Sequence, residues 1–574
     1  MATHPEELRS TTQPSLASSP SASAIGNAQS PTTHAPPPIA DTSSISATQS
    51  GSIVPSTTES SQGPFAQISK TPDEPDDSSP SAGDAKPAGT QQLVLENKAP
   101  LDQIDLFLNQ WGQLVTDQYK NAFVVVTGNG NPRLLKIGSD AMHGLIAKFL
   151  KKLGRRATKR LLQEFCDQLR ADAALLDATT MVFSRVAQKA DGTVVIALHD
   201  QQNTHIHIKP GSVQVLTEGS DIYFYKAPTA LPMAMPAEVG NWKRLKKYVN
   251  LNDKSFLLLV AWLSYTLAHA KVAGNVFVIL LLIGGMGTGK SWICKLIIRL
   301  IDPSSIGIQR IPKKEQDLAI GLQGCQVAAY DNLGWLSQDM SDSFCTAATG
   351  GSVTARKLYT NDDVHVIKHH GAAVLNSIGD VATQPDFLQR SLSLRPSPMN
   401  ANSVAGEDDL LKEFEADLPV IQRGLFDLIA QVLTHLPDAK VARPQRMFAF
   451  VRWLSAMELA HGIPIPVYQD AYAESINDSQ LEGLRDNVLS SAVLDFADSL
   501  TDGKWSGTPA DLLAELNAAR GYVIRRAPQG WPDNEIALSK RLLPLQAALM
   551  TQGIDVQSTR GKERHITIRR IEVQ

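Results

Sequence analysis

Residues 275–291 read Asn-Val-Phe-Val-Ile-Leu-Leu-Leu-Ile-Gly-Gly-Met-Gly-Thr-Gly-Lys-Ser. The unbroken apolar run Val276 to Ile283 has the composition of a strand buried on both faces. It leads straight into Gly284-x4-Gly289-Lys290-Ser291, the spacing of a phosphate-binding loop. Trp292 to Leu300 is amphipathic and reads as a helix. Strand, glycine loop and helix together predict an α/β fold with an anion site at the helix start. Gly284, Gly285, Gly287 and Gly289 let the backbone curl, so that successive N–H groups, including that of Thr288, point at one anion. The helix beginning at Lys290 adds its positive dipole end. In this reading Lys290 neutralises the β- and γ-phosphates of ATP, and the Ser291 hydroxyl binds Mg²⁺. The alternative is a plain glycine-rich turn after a buried strand.

The next 110 or so residues extend that chemistry. Gln326 to Tyr330 reads as an apolar strand ending in Asp331, where a carboxylate can hold Mg²⁺ through water. Asn332 follows, where many ATPases carry the water-activating carboxylate, so the general base is left open; a simple strand-end turn is the other reading of this pair. Ala372 to Leu375 reads as a third strand, ending in Asn376. A polar residue there faces the ligand crevice of an open α/β sheet and can touch the γ-phosphate or the attacking water. Arg390 follows a helical turn and suits an arginine finger reaching a neighbouring subunit, or else a surface salt bridge. Between the strands, residues 348–363 suggest an exposed hairpin whose Arg356 and Lys357, with Tyr359 and nearby Lys368, His369 and His370, contact DNA or form an ordinary charged loop.

Working outward, the chain divides by composition. Residues 1–97 are rich in Ser, Thr, Pro, Ala and Gly, cannot offset their chain entropy by burial, and are expected to be a disordered tail. Residues 98–240 read as an α+β domain with helix over Leu101–Val115 and 141–176, and strands near 122–127, 180–185, 194–199, 205–208 and 222–225. His205 and His207 alternate onto one sheet face, as a solvated or hydrogen-bonded pair rather than a metal site. Residues 241–271 are a helical lead-in, 272–400 the ATPase core, 401–485 a helical region, and 486–574 a separate small domain. In that last domain, Thr508-Pro509-Ala510-Asp511 is a helix start. A second helical stretch runs from Glu535 to about Thr551, kinked at Pro544. A basic hairpin follows, with Arg560, Lys562 and Arg564 near its turn. Helices followed by a basic hairpin suggest a winged helix, contacting DNA or docking another protein.

The order of these parts resembles the superfamily 3 helicases, especially the phage and poxvirus primase–helicase ATPases. It is also similar to a bacterial group of phage- or island-associated ATPases that share Ile-Asp-Pro (301–303), Tyr-Asp-Asn (330–332), Thr-Gly-Gly (349–351) and Leu-x-Arg-Ser-Leu (388–392). The resemblance spans about residues 100–574. It implies an AAA+-like core that binds ATP and Mg²⁺ through Gly284, Gly289, Lys290, Ser291 and Asp331, with Asn376 as sensor. It also implies an arginine finger at Arg390 and a DNA-contacting hairpin at Arg356 and Lys357. Family members act as rings, usually hexamers, that move along DNA. Residues 98–240 carry no zinc-ligand cysteines and no convincing Asp-x-Asp, so primase activity is not implied. The expected fold is therefore a multidomain α/β protein with a P-loop NTPase core, an N-terminal α+β domain, a C-terminal winged-helix-like domain and a disordered tail. The expected function is an ATP-dependent DNA helicase or translocase of a mobile element or prophage, working as a homo-oligomer. A non-motor DNA-binding ATPase switch is the alternative, and a metabolic phosphotransferase fits poorly.

Whole-chain composition agrees. Residues 1–100 carry four basic and ten acidic side chains, a charge of −6, so the remaining residues total +2 against −4 for the full 574. Bulk charge does not advertise nucleic-acid binding; local patches must carry it. The four cysteines form no Cys-x-x-Cys pair, which argues against a zinc ribbon and fits a reducing compartment. The longest apolar region, Ser255 to Ala268, is short of the roughly 20 residues that span a bilayer and reads as a buried helix. With no signal peptide visible, the expectation is a cytoplasmic protein without a membrane anchor.

Overall fold

Ile279–Ile283 is a run of five aliphatic residues, all buried, and it forms the centre of a parallel sheet. Ala372–Ser377 pairs with it on one side and Ser391–Leu394 on the other. Val327–Leu333 lies outside Ala372–Ser377, and a further parallel bridge joins Gln309 to Tyr330. The structure is a computed structural model; it describes residues 103–126, 130–334, 336–356, 364–378, 384–398, 406–522, 527–560 and 564–571. A strand with a side-chain period of two must find apolar cover on both faces. Leu280 and Leu282 pack into a cluster with helices Lys290–Ile301 and Asp253–Ala268, while Ile279, Leu281 and Ile283 pack on the other face against Leu318 and Phe344.

Helix Asp253–Ala268 explains the longest apolar stretch. The Asn252 side chain accepts from the Ser255 amide, and every residue from Leu258 to Ala268 is buried. A helix apolar all round belongs inside a protein or a bilayer; this one is enclosed by Phe450, Trp453, Tyr472 and the sheet. Among the described residues, no helix is long and apolar enough to cross a membrane. The 29-residue helix Glu407–His435 contains Pro419, and the Pro419 and Val420 carbonyls accept from the Ala237 and Asn241 amides. That contact needs glycine: a Cβ on Gly424 would lie 2.2 Å from the Trp242 nitrogen. In an isolated helix Gly→Ala gains about 1 kcal/mol. Here Gly424→Ala is expected instead to destabilise by about 1–3 kcal/mol, because the atoms it meets are backbone and cannot swing aside. Chemical denaturation of the purified variant reads the sign.

Upstream, the helix expected over Leu101–Val115 stops at Trp111. Gly112 opens a strand, Gly112–Asp117, antiparallel to Ala122–Val126, and a Cβ at Gly112 would sit 1.7 Å from the Val125 carbonyl oxygen. Strand pairing therefore overrides the helical periodicity. Helices Asp140–Lys152 and Lys159–Ala174 cover this sheet, with Phe107, Phe149 and Phe165 packed edge to face. A second sheet, the antiparallel meander Val186–Gln188, Val194–Ala197, His205–Lys209 and Ser212–Leu216, is two-sided. Ile206 and Ile208 join the central core, whereas Val195, Ala197 and Phe224 form a separate cluster on the other face. His205 and His207 are buried rather than solvated, and of the two His207 is hydrogen-bonded, its Nε2 lying 3.4 Å from the Ser220 hydroxyl. His205 lies edge-on to Phe224, and burial pushes its pKa down to about 4.

Arg185 ties this meander to the Ile-Asp-Pro segment. Its guanidinium pairs with Asp302 at 2.7 Å, both side chains at most 5% exposed, and it donates to the Ala197 and Leu231 carbonyls. Asp302 also accepts from the Gln326 amide. Asp302→Ala would leave Arg185 charged, buried and unpaired. A loss of about 3–5 kcal/mol is expected, measured as a lowered denaturation midpoint.

The C-terminal region has its own core of Val488–Ser499, Pro509–Arg520, Glu535–Leu542, Gln546–Thr551 and a three-stranded antiparallel sheet. Thr508 and Asp511 form a reciprocal capping box, and Gly521 ends the helix in the left-handed conformation. Pro544 sits in a one-turn 3₁₀ segment that breaks the second helical stretch in two. Ile554–Arg560 and Arg564–Arg570 make the hairpin, with Lys504–Gly507 on the outer side of the second strand.

Candidate functional site at the glycine loop

The loop after Ile283 turns through two glycines in the left-handed region, Gly287 (φ 77°) and Gly289 (φ 76°). Side chains rarely adopt that geometry, so the sequence spacing is a backbone requirement. Lys290 begins helix Lys290–Ile301 and is 8% exposed. Its Nζ donates to the Gly284 and Gly285 carbonyls at 2.7 and 2.8 Å. Burial lowers its pKa below the ordinary lysine range, opposed by the nearby Asp331 carboxylate. Thr288 donates its hydroxyl to the Gly285 carbonyl.

Three further side chains meet here. The Ser291 hydroxyl donates to Asp331 Oδ2 at 2.9 Å. The Asn376 amide donates to Asp331 Oδ1 at 2.6 Å and to Ser291 Oγ at 3.1 Å. They converge because parallel strands end at one edge: Asn376 pairs in register with Leu282, two positions before Gly284. The strand carrying Asp331 loses regular register between Tyr330 and Leu333. Asn332 sits there at φ 58°, a conformation asparagine tolerates better than most residues, and its amide donates to Asp331 Oδ1. Lys290, Ser291, Asp331 and Asn376, separated by up to 86 positions in sequence, thus share one cavity of about 740 Å³.

The far wall of that cavity is not legible in the sequence. Glu407 and Leu410, at the start of the 29-residue helix, line it, and Glu407 forms an ion pair with Lys295 on the glycine-loop helix. Nothing local marks a helix more than 100 residues downstream as a wall of the same site. Among the described residues no three His, Cys, Asp or Glu side chains form a metal cluster. The donor set is one hydroxyl and one carboxylate. That suits Mg²⁺, which keeps several waters and takes one or two carboxylates plus phosphate oxygens.

Arg390 stands apart from this group. It precedes Ser391–Leu394, which runs parallel to Ile279–Ile283 with Ser391 opposite Ile279. Arg390 is therefore at the opposite end of the sheet from Gly284, roughly 20 Å of strand away. Its guanidinium is 10% exposed and pairs with Asp386, which also pairs with Arg446 at 2.7 Å. In its own chain Arg390 does not reach the cavity.

The hairpin forms as Gly351–Arg356 and Val364–His369, with Arg356 opposite Val364; Lys357 and Tyr359 lie outside the described residues. At its base Lys368 is exposed and lies over the Tyr119 ring, while the neighbouring histidines are internal. His369 is fully buried, His370 packs on Phe277 and bonds to the Asn275 carbonyl, and burial pushes both imidazoles down to about 4. In the C-terminal hairpin, Arg560 pairs with Arg564 across the turn, Arg564 is exposed, and Lys562 lies outside the described residues. Arg564 lines a shallow groove with Ile536 and Ser539 of helix Glu535–Leu542.

The fold and site define a multidomain, mixed α/β protein with a glycine-loop site on a parallel sheet. Residues 242–481 match the model of the actinomycete integrative conjugative element replication protein, and residues 489–574 match that of the AICE RepA C-terminal domain. The two matches together span more than half of the chain, which belongs to this family of mobile-element replication proteins. Solved structures with some likeness include one described as SCCmec type IV Cch, active helicase, at 11% identity and TM-score 0.41, covering 80% of this chain and 93% of that one. Another is the A form apo structure of the NrS-1 C-terminal region, at 11% identity and TM-score 0.38, covering 83% and 100%. Likeness at this level leaves the functional reading to the site itself. A search of the curated proteins found no match.

Proposed function

We propose that this chain is an ATP-driven DNA motor of the superfamily 3 type, serving replication of its element. The observation that carries the reading is the convergence of Lys290, Ser291, Asp331 and Asn376 at the C-terminal edge of a parallel sheet, beside a glycine loop that opens a helix. The loop amides and Lys290 would hold the phosphates of ATP. Ser291 and Asp331 would hold Mg²⁺, which would supply positive charge against the negative charge of the transferring phosphoryl group. Asn376 holds the Asp331 carboxylate and the Ser291 hydroxyl at fixed distances, and its position suits a sensor of the γ-phosphate. Arg390 acts on the site of the next subunit, in a ring.

The C-terminal region is read as a winged helix, with Glu535–Leu542 as its recognition element and the basic hairpin as its wing. Replacing Arg560, Lys562 and Arg564 by Ala is expected to lower duplex affinity and flatten its salt dependence, while ATP hydrolysis without DNA stays unchanged. Untouched affinity at low salt would reassign the domain to protein docking.

The decisive experiment is ATP hydrolysis with and without single-stranded DNA, paired with strand displacement on a forked substrate. One observation favours a second reading. Asn332 occupies the position where a water-activating carboxylate often stands, which suits slow turnover and a nucleotide-controlled DNA-binding switch. Hydrolysis without strand displacement or translocation would select it.

A further inference from the structure

Residues 141–163 contain no aspartate or glutamate and seven lysines or arginines, in a chain body of near-neutral charge. They span the end of helix Asp140–Lys152, a turn through Gly154 (φ 71°), and the start of helix Lys159–Ala174, capped by Thr158. Lys148, Lys151, Lys152, Arg156, Lys159 and Arg160 are all exposed. Only Arg160 has a carboxylate partner among these six in the described residues, Glu164 at 2.7 Å.

This arrangement works against the stability of the helices that carry it. Lys159 and Arg160 occupy the first turn of a helix, where the dipole disfavours cations, and no acid offsets them within that turn. Lys148 and Lys152 are like charges one turn apart. Both lie over the Trp111 ring, at 5.3 and 4.8 Å from its centroid, which holds the two amines side by side. A helix N-terminus and six cations therefore add their fields at one end of one helix pair. No large hydrophobic residue is exposed between Tyr119 and Leu175 among the described residues, so the surface lacks the apolar centre of a protein interface.

We propose that this basic turn is a second DNA-binding surface, which grips the phosphate backbone without reading sequence. It lies outside both regions matched by the family models, and it would let residues 98–240 hold DNA against the motor. It rests on the proposed function only in that the chain works on DNA.

The test uses the full chain with Lys151→Ala, Lys152→Ala and Arg156→Ala combined, binding a labelled duplex and a single strand of the same length over a salt series. Each phosphate that is no longer gripped should reduce the salt slope by about one, so a slope smaller by about three and an affinity at least about tenfold lower at low salt are expected. A second variant, Lys151→Arg, Lys152→Arg and Arg156→Lys, keeps the charge and should keep the binding. Unchanged affinity and slope in the alanine variant overturn the proposal, and so does an equal loss in the charge-keeping variant. ATP hydrolysis without DNA, measured in the same preparations, separates the two readings. If the wild type binds DNA through this turn but does not hydrolyse ATP, the motor fails and the surface stands.

Discussion

Lys290→Ala is expected to abolish ATP hydrolysis while the protein stays folded. The ammonium stands at the start of the glycine-loop helix, already placed among the Gly284 and Gly285 carbonyls. Removing a preorganised charge that stabilises a transferring phosphoryl group costs several kcal/mol in the transition state, a rate loss of about 10² to 10³ or more. The fold should survive, because among the described residues the lysine bonds only to its own loop and the helix keeps its buried face of Ile293, Leu296 and Ile297. Turnover by a folded variant at the wild-type rate would remove the glycine loop from the reaction. Circular dichroism and gel filtration of the same sample establish the folded state.

Mixing two dead proteins is expected to restore activity. If Arg390 serves the neighbour's site, a site needs Lys290 from one subunit and Arg390 from the next. Head-to-tail contacts of this kind repeat until a ring closes. Arg390→Ala and Lys290→Ala subunits should each be inactive alone. Combined in equal amounts with random assembly, about a quarter of the interfaces hold both residues, so activity should recover towards about a quarter of wild type. Arg390→Ala also leaves Asp386 with Arg446 alone, so Arg390→Lys, which keeps a second cation beside that carboxylate, serves as the folding control. A monomer of full activity by light scattering would end the proposal of action between subunits.

Much of the site was readable because its parts are local. The apolar strand, the glycine spacing and the helix at Lys290 are consecutive, and each obeys a short-range rule. Asp331 and Asn376 were readable because a parallel sheet aligns strand ends, so a polar residue closing an apolar run has few other places to be. Glu407 and Leu410 were not, since helix packing joins them to the site and leaves no mark at their own positions. The histidines at 205, 369 and 370 misled for a related reason. Their residue type suggests solvent or phosphate, while His205 and His369 point into packed interior and His370 packs on Phe277, a tertiary fact. Gly112 shows the same limit, because its helical surroundings gave way to strand pairing with Val126.

The central hydrophobic cluster runs without a break from Val186 in the meander, through the glycine-loop sheet, to Tyr472 in helix Val467–Asp486. The stretch 272–400 that holds the glycine-loop site is therefore not a removable part. Cut out alone, it would expose the faces of Leu280, Leu282 and Ile297 that other segments cover. Recombination between elements could exchange the C-terminal region, whose core is its own apart from residues such as Leu484. It could not exchange the glycine-loop site without carrying along the meander, the buried helix and the helices after the sheet that share its core. A segment exchange that respects this core would therefore carry the glycine-loop site whole, and variation should gather outside it, in the C-terminal region and in the helices before the meander.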